Sequence, residues 1–361
     1  MIPDLVREDA AYLAYIPSSP TSRGGFDDPN GEARGDCHDW EADPLLSRER
    51  FFRYVSEFGF QSYPSMKTVE TFTEEKDRKP FSKIMDRHQR CNGGNELILK
   101  YLNRYFKYPF SLEELIYTTQ VLQADMIRYR VEHFRRNRGR CMGTLYWQLN
   151  DIWPVISWAS IDYCGRLKGL QYVAKRFYSP IHLSCEEVGD LQNRPFINSE
   201  GGTYSEERSA RFCLNNDTLN EVRGRVIWEL RDADSVLIDS GSDEIAAAPL
   251  SVAALDKKVF DMDAERVHLR FMLEVDGAIV SDDAVLFTAP KYYEYSEPRL
   301  TATVDGDEIV VRSDAFAYYV ELEGVDGDVI LEDNFFHMEK GERRVKVLSG
   351  SATQIGCRSV R

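Results

Sequence analysis

The sequence predicts a multidomain chain, α/β up to about residue 180 and all-β beyond it. Three observations carry that expectation. First, 361 residues exceed what one ordinary core supports. Second, residues 1–180 carry 26 Lys and Arg against 24 Asp and Glu, while residues 181–361 carry 19 against 36, so the net charge of −15 sits in the second half. Third, the apolar pattern changes near residue 180, from helical spacing between long loops to short alternating runs.

The elements follow in order. Strands are expected near 12–17, 52–58 and 142–149. Residues 19–48, with "SPTSRGGFDDPNGEARGD" at 19–36, read as a long loop. "PSMKTVETFTEE" (64–75) reads as a helix opened by Pro64. "NELILKYLNRYF" (95–106) is a helix that Asn95 or Gly94 would cap. The clearest helix is "SLEELIYTTQVLQADMIRYRVEHFRRNRG" (111–139). Ser111 and Glu114 form a capping box, Leu112, Leu115, Ile116, Leu122, Met126 and Phe134 recur at helical spacing, and Gly139 is a stop. Arg135, Arg136 and Arg138 suit its negative end. "CMGTLYWQLN" (141–150) reads as a buried strand, and "GRLKGLQYVAKRFYSP" (165–180) as a helix ended by Pro180. Strand, long loop and helix in alternation suggest parallel β/α units, whose chemistry sits at the C-terminal strand ends.

Beyond 180, "ARFCLNN", "RGRVIWELRD", "SVLIDSG", "HLRFMLEVDG" and "AVLFTAP" suggest an antiparallel sandwich. "APKYYEYSEP" (289–298) reads as a linker. "VDGDEIVV" (304–311) is a hairpin candidate because Asp-Gly supplies positive φ. The expected domains are 1–180, 181–290 and 291–361, with residues 181–361 folding independently.

The bulk properties exclude several classes. The acidic second half argues against nucleic acid or an anionic membrane as partner. No run of about 18 uncharged apolar residues exists, and "MIPDLVREDAAYLAYIP" lacks the form of a signal peptide. Seven cysteines at 37, 91, 141, 164, 185, 213 and 357 show no CxxC and no His partners. They signal neither zinc nor a disulfide framework, which leaves reduced thiols in a cytoplasmic chain. No metal or other cofactor is signalled.

Two stretches could carry chemistry. In "YVSEFGFQSYP" (54–64), Glu57 is a lone carboxylate among aromatic and apolar residues. It is either a strand-edge glutamate facing water or a charge placed at the mouth of a site. "GTLYWQLNDIWPVISWASIDY" (143–163) sets three tryptophans beside Gln148, Asn150, Asp151 and Asp162. Flat indole faces next to amides and carboxylates suit a sugar ring, though an aromatic core with a capped turn gives the same pattern.

"SEFGFQSYPS" (56–65) followed by "GTLYWQLNDIWPVISWASIDYCGRLKGLQYVAKRF" (143–177) resembles the C-terminal half of glycoside hydrolase family 2, in its β-mannosidase branch. "IPSSP" (16–20), "GDCHDW" (35–40), "SDAFAYYVELEG" (313–324) and "LEDNFF" (331–336) extend the resemblance over essentially the whole chain. It implies an incomplete (β/α)8 TIM barrel, about strands six to eight, followed by two Ig-like β-sandwich domains. It implies retaining hydrolysis of terminal β-mannosyl residues, with Glu57 as nucleophile. Trp147 would line the sugar subsite, and Trp40, His38, Asp36, Asn150 and Asp151 would contact substrate. An aromatic residue is usual in the family where Asp39 stands.

Retention needs a second carboxyl group about 5–5.5 Å away as acid/base. Glu96 of "CNGGNELILKY" follows the nucleophile, whereas the family's acid precedes it, and it opens a helix where a carboxylate is dipole-favoured. Residues 1–56 offer no Asn-Glu pair. The expectation is therefore a chain that lacks the acid/base and about half the barrel, is inactive alone, and pairs with a complementary N-terminal half. The alternatives are a non-catalytic carbohydrate- or protein-binding fragment, or β-galactosidase or β-glucuronidase specificity.

Overall fold

A computed structural model describes residues 2–16, 18–21, 28–40, 43, 47–193 and 205–361. Residues 22–27, 41, 42 and 44–46 of the expected long loop lie outside the described residues. The chain opens with α1 (Ile2–Asp9), none of whose residues is buried. Residues 10–16 form turns and irregular backbone, exposed almost throughout, so the strand expected at 12–17 is not formed. An apolar run becomes a strand only when a neighbouring chain completes its ladder, and no such neighbour pairs with it among the described residues.

The first parallel strand is β1 (Cys37–His38), inside the expected loop. It pairs with β2 (Val55–Glu57), with Cys37 opposite Val55 and His38 opposite Glu57. Residues 142–147 run alongside β2 as an extended edge. Met142 N–H donates to Arg53 O at 2.9 Å, Leu145 N–H to Val55 O at 2.9 Å, and Trp147 N–H to Phe58 O at 2.7 Å. The spatial order is β1, β2, then this edge.

Helices pack behind the sheet. In α2 (Met66–Glu70), Ser65 rather than Pro64 marks the start, its Oγ accepting from Thr68 N–H at 3.3 Å. The short α3 (Lys83–Arg87) is followed by α4 (Gly94–Tyr105), capped by Gly93 at φ +72°, one residue before the expected cap. Glycine takes that left-handed conformation without a Cβ penalty. α5 (Leu112–Arg136) starts where Ser111 Oγ accepts from Glu114 N–H at 3.1 Å. Glu114 reaches back to Phe110 N–H at 2.7 Å, one residue beyond the N-cap N–H of the usual capping box. Nineteen of its 25 residues are buried, so α5 is a core helix rather than a surface one. α6 (Gly169–Phe177) packs against it.

The first β-sandwich holds β3 (Ile181–Val188), the one-turn α7 (Asp190–Asn193), β4 (Ser209–Asn216), β5 (Val222–Asp232), β6 (Leu237–Ala247), β7 (Ser251–Ala254), β8 (Lys258–Val259), β9 (Val267–Val275) and β10 (Ala278–Leu286). Its sheets run β10-β9-β5-β6 and β3-β4-β7, with β8 also on β4. The second holds β11 (Thr301–Asp305), β12 (Glu308–Ser313), β13 (Ala317–Gly324), β14 (Val329–Leu331), β15 (Phe336–Met338), β16 (Gly341–Gly350) and β17 (Ile355–Val360). Its sheets run β11-β12-β16-β14 and β15-β13-β17. The Asp-Gly hairpin joins β11 to β12, with Gly306 at φ +66°.

The first sandwich has its own core around Phe212, Leu269, Phe271 and Phe287. The second does not. Phe316, Tyr318, Tyr319 and Phe335 join one continuous core with Phe58, Leu115, Val121, Phe134 and Phe177. Tyr117 O–H donates to Tyr319 O at 2.6 Å across that junction, and Tyr319 O–H to Asp125 Oδ1 at 2.9 Å. The expectation that residues 181–361 fold independently meets a structural obstacle, because their last unit shares one continuous core with α5 and α6.

His133 makes this packing pH-sensitive. Burial first, then the Arg136 and Arg48 charges, hold its pKa down at about 4, although Nε2 lies 2.8 Å from Arg50 O and that bond resists the shift. The unfolded chain binds the proton more tightly, so this stability is complete above pH 6.5 and is lost between pH 6.5 and 4. The loss is of order 3 kcal/mol. Urea unfolding of His133→Gln is expected to show a correspondingly flatter profile across that window; a profile as steep as wild type would refute the assignment.

Candidate functional site

Parallel pairing sets His38 opposite Glu57 at the C-terminal ends of β1 and β2, with Asp36 close by at the start of the two-residue β1. Glu57 ends β2 with its side chain about one-quarter exposed, and its Oε2 lies 3.3 Å from His38 Nδ1. Asp36 immediately precedes β1. Its Oδ2 accepts from Ser19 Oγ and Ser56 Oγ, each at 2.6 Å, and its Oδ1 from Thr21 N–H at 2.9 Å. Burial alone would raise the Asp36 pKa, but these donors outweigh it and hold the carboxyl below its ordinary value.

The proton inventory orients His38. Each serine hydroxyl has one hydrogen, and both are spent on Asp36. Ser19 Oγ is therefore left to accept from His38 Nε2–H at 3.0 Å, which turns Nδ1 toward Glu57. A continuous chain of polar contacts thus runs Glu57–His38–Ser19–Asp36. Ser19 and Ser56 are partners that sequence reasoning passed over. Ser56 adjoins Glu57, and Ser19 lies in the quoted "IPSSP", but only folding sets them on one carboxylate.

Trp40 and Trp147 flank the same end, 43% and 44% exposed, so both keep open ring surface. They converge on Gly59. A methyl group there would lie 2.5 Å from Trp147 O, 2.9 Å from Trp158 Cδ1 and 3.4 Å from Trp40 Cζ3. Trp158 meets Trp40 edge-on at 6.1 Å. Trp153, also in the aromatic cluster, is elsewhere and stacks on His88 at 4.7 Å.

Asn150 and Asp151 take other partners. The buried Asp151 accepts from Ser157 Oγ at 2.9 Å and from Gln148 Nε2 at 3.3 Å, and burial raises its pKa against those bonds. Asn150 is exposed, and its Nδ2 donates to Asp151 O at 3.2 Å. Both residues shape the turn after Trp147, and no contact joins them to Glu57 among the described residues. Asp39 is buried, with Arg50 Nη1 donating to its Oδ1 at 3.0 Å. Glu96 is exposed in the first turn of α4. No cluster of metal-ligating side chains occurs among the described residues.

Chemically, the arrangement offers a carboxylate at a strand end, a histidine near one of its oxygens, and two exposed tryptophans on the adjoining segments. Such a site can attack or stabilise an electron-poor carbon above the strand ends while a ring stacks alongside.

Comparison with known proteins places this geometry in context. Residues 209–292 match the Mannosidase Ig/CBM-like domain family, and residues 290–355 an Ig-fold domain family. β-Mannosidase B of Aspergillus terreus is 30% identical over 340 residues, which is 87% of this chain and 39% of that protein. The β-mannosidase of Capra hircus is 38% identical over 159 residues, 40% of this chain and 17% of its own length. Among solved structures, β-D-mannosidase from Dictyoglomus thermophilum superposes with a TM-score of 0.83 at 25% identity, covering 99% of this chain and 44% of that one. The exo-chitosanase CsxA of Amycolatopsis orientalis shares the fold at a TM-score of 0.64 and 17% identity, covering 88% of this chain and 43% of that one. The chain spans about two fifths of the length of the first two of its curated relatives.

Gly59→Ala is expected to push the Trp147 carbonyl and Trp158 aside, destabilising the chain by about 1–3 kcal/mol. Tryptophan fluorescence should shift with it; unchanged stability and emission would show that the gap is not as tight as drawn.

Proposed function

The chain belongs to the β-mannosidase branch of glycoside hydrolase family 2, matching the C-terminal portion of those proteins, and on that premise we propose that it carries the nucleophile half of a retaining β-mannosidase site. The observation that carries this reading is the placement of Glu57 at the end of a parallel strand, against His38, with the exposed Trp40 and Trp147 on the segments that pair with that strand. In the proposed reaction Glu57 attacks the anomeric carbon as the glycosidic bond breaks, giving a covalent glycosyl-enzyme that water then hydrolyses. Trp147 and Trp40 hold the sugar face, and His38 stands 3.3 Å from the Glu57 carboxylate. Asp36 acts through His38 and Ser19 rather than on substrate.

The acid/base carboxyl, in this reading, comes from polypeptide beyond these 361 residues. Support comes from Glu96, which sits exposed on a helix start, and from the exposed Leu145 on the strand edge, which suits a complementary half-barrel. The substrate class is β-mannoside oligosaccharides or glycoconjugates. The free cysteines agree with a cytoplasmic setting, and no helix of the described chain is long and apolar enough to cross a membrane.

Turnover of aryl β-mannosides by the isolated chain is expected to stay at the buffer rate. Supplying the N-terminal region of a relative as a second polypeptide should restore it, and Glu57→Gln should then cut kcat/KM by roughly 10³-fold or more. Robust turnover by the chain alone, abolished in Glu57→Gln, would overturn the missing-acid reading. A trapped glycosyl adduct on any other residue would overturn Glu57. Faster turnover of aryl β-galactosides or β-glucuronides would reassign the specificity.

A further inference from the structure

A cavity of about 560 Å³ lies away from Glu57. It opens between the last turn of α5, the Arg48–Phe51 segment that leads into β2, and strands β3, β4 and β7. It therefore sits at the N-terminal end of the parallel strands, opposite the proposed glycosidase site. Arg48, Arg136, Arg138 and Arg211 line it with one carboxylate, Glu186.

Three of these arginines hydrogen-bond carboxylates. Arg48 Nη2 donates to Glu187 Oε2 at 2.8 Å, Arg211 Nε to Glu186 Oε2 at 2.9 Å, and Arg138 Nη1 to Asp217, which Arg135 shares. Arg136 has no hydrogen bond to a carboxylate. Its side chain is 4% exposed, and Nη1 lies 3.8 Å from Glu132 Oε2, a carboxylate group already engaged by Arg128 at 3.3 Å and His182 at 3.1 Å. Nη1 also reaches Cys185 O at 3.4 Å, while Nε and Nη2 have no hydrogen-bond partner. A buried guanidinium with two empty donors is costly unless an anion joins it.

Neighbouring groups register the Arg136 charge. After burial, Arg136 and Arg48 are what push the His133 imidazole down. Burial would raise the Glu186 carboxyl, yet Arg136, Arg211 and Arg48 together hold it below its ordinary value. The C-terminal dipole of α5 opposes an anion here, so the attraction must come from the guanidiniums.

We propose that this cavity binds a small tetrahedral oxyanion, inorganic phosphate or sulfate, with Arg136 on its floor and Arg138 and Arg211 at its mouth. Guanidinium donors converging from floor and walls match oxygens that radiate in three dimensions. On binding, Arg136 turns its empty donors from the wall toward the cavity. The bound anion then ties the end of α5 to the first sandwich.

The test uses the whole 361-residue chain, with thermal unfolding and titration calorimetry in phosphate against chloride at matched ionic strength. The expected result is a saturable rise in midpoint with phosphate and a measurable Kd, both unchanged in Glu57→Gln. Arg136→Met should weaken phosphate binding about tenfold or more, while leaving the phosphate-free midpoint equal or higher, because an unpaired buried charge is replaced by an apolar chain. Arg211→Gln, at the mouth, should weaken binding severalfold without moving the phosphate-free midpoint. A midpoint that rises equally in chloride, or saturable binding that survives both substitutions, overturns the site. Should Arg136→Met not fold, unchanged phosphate affinity in Arg211→Gln overturns it alone.

Discussion

The burial of α5 on every side is the constraint on which the rest depends. A helix with water on one face can leave its glutamines and arginines unpaired at little cost; in this one each unpaired group is expensive, and most find partners. Gln123 Nε2 donates to Phe60 O at 2.7 Å and Trp158 O at 3.0 Å, while its Oε1 accepts from Ser62 Oγ at 2.7 Å. Gln120 Nε2 donates to Tyr63 O at 3.2 Å, and its Oε1 accepts from Gly169 N–H at 3.0 Å. Arg135 Nη2 reaches Ser179 O and Asp217 Oδ2, each at 2.9 Å. One helix thus fixes the chain leaving β2, the aromatic loop, the start of α6 and the edge of the first sandwich.

The candidate site inherits its rigidity from that arrangement. Phe58, next to Glu57, packs edge-on to Phe134 of α5 at 5.9 Å. Lys168 lies beneath, buried, its Nζ donating to Ser62 O and Ser157 O at 3.2 Å each. Burial brings its pKa down to about 8, against the pull of Asp151 and Asp162. Asp162 in turn accepts from Thr68 Oγ1 at 2.6 Å. These charges brace two loops against each other, and Asp151 belongs to that brace. The carboxylate left facing the strand ends is Glu57.

The uneven charge of the two halves also has a structural expression. Taken alone, the acidic second half reads as a solvated surface. Part of it meets basic residues of the first half instead. Arg166 Nη2 donates to Asp328 Oδ2 at 2.8 Å, Lys67 Nζ to Asp328 Oδ1 at 3.2 Å, and Arg176 pairs with Asp333 while donating to Phe335 O at 2.7 Å. Together with the shared core, these contacts weld the last β unit to α5 and α6. The first sandwich, with a core of its own, is the more separable body.

The sequence by itself determined what local chemistry encodes. Ser111 and Gly139 bracket α5, Gly306 turns the β11–β12 hairpin, alternating runs mark most sandwich strands, and Glu57 stands out as a charge among aromatics. The family resemblance added the β-mannosidase reading and the Ig-like units. Only the tertiary structure decided the rest. β1 is two residues long with no periodicity, and it exists because β2 lies beside it; the run at 12–17 is more apolar yet has no ladder to join. Asp36 and Asp151 are equal as letters, but one sits in a relay toward Glu57 and the other in a turn. Arg136 reads as a dipole-matched helix end until folding buries it with only a shared, distant carboxylate and two donors unfilled. In each case the deciding partner is distant in sequence, and periodicity and capping report only on neighbours along the chain.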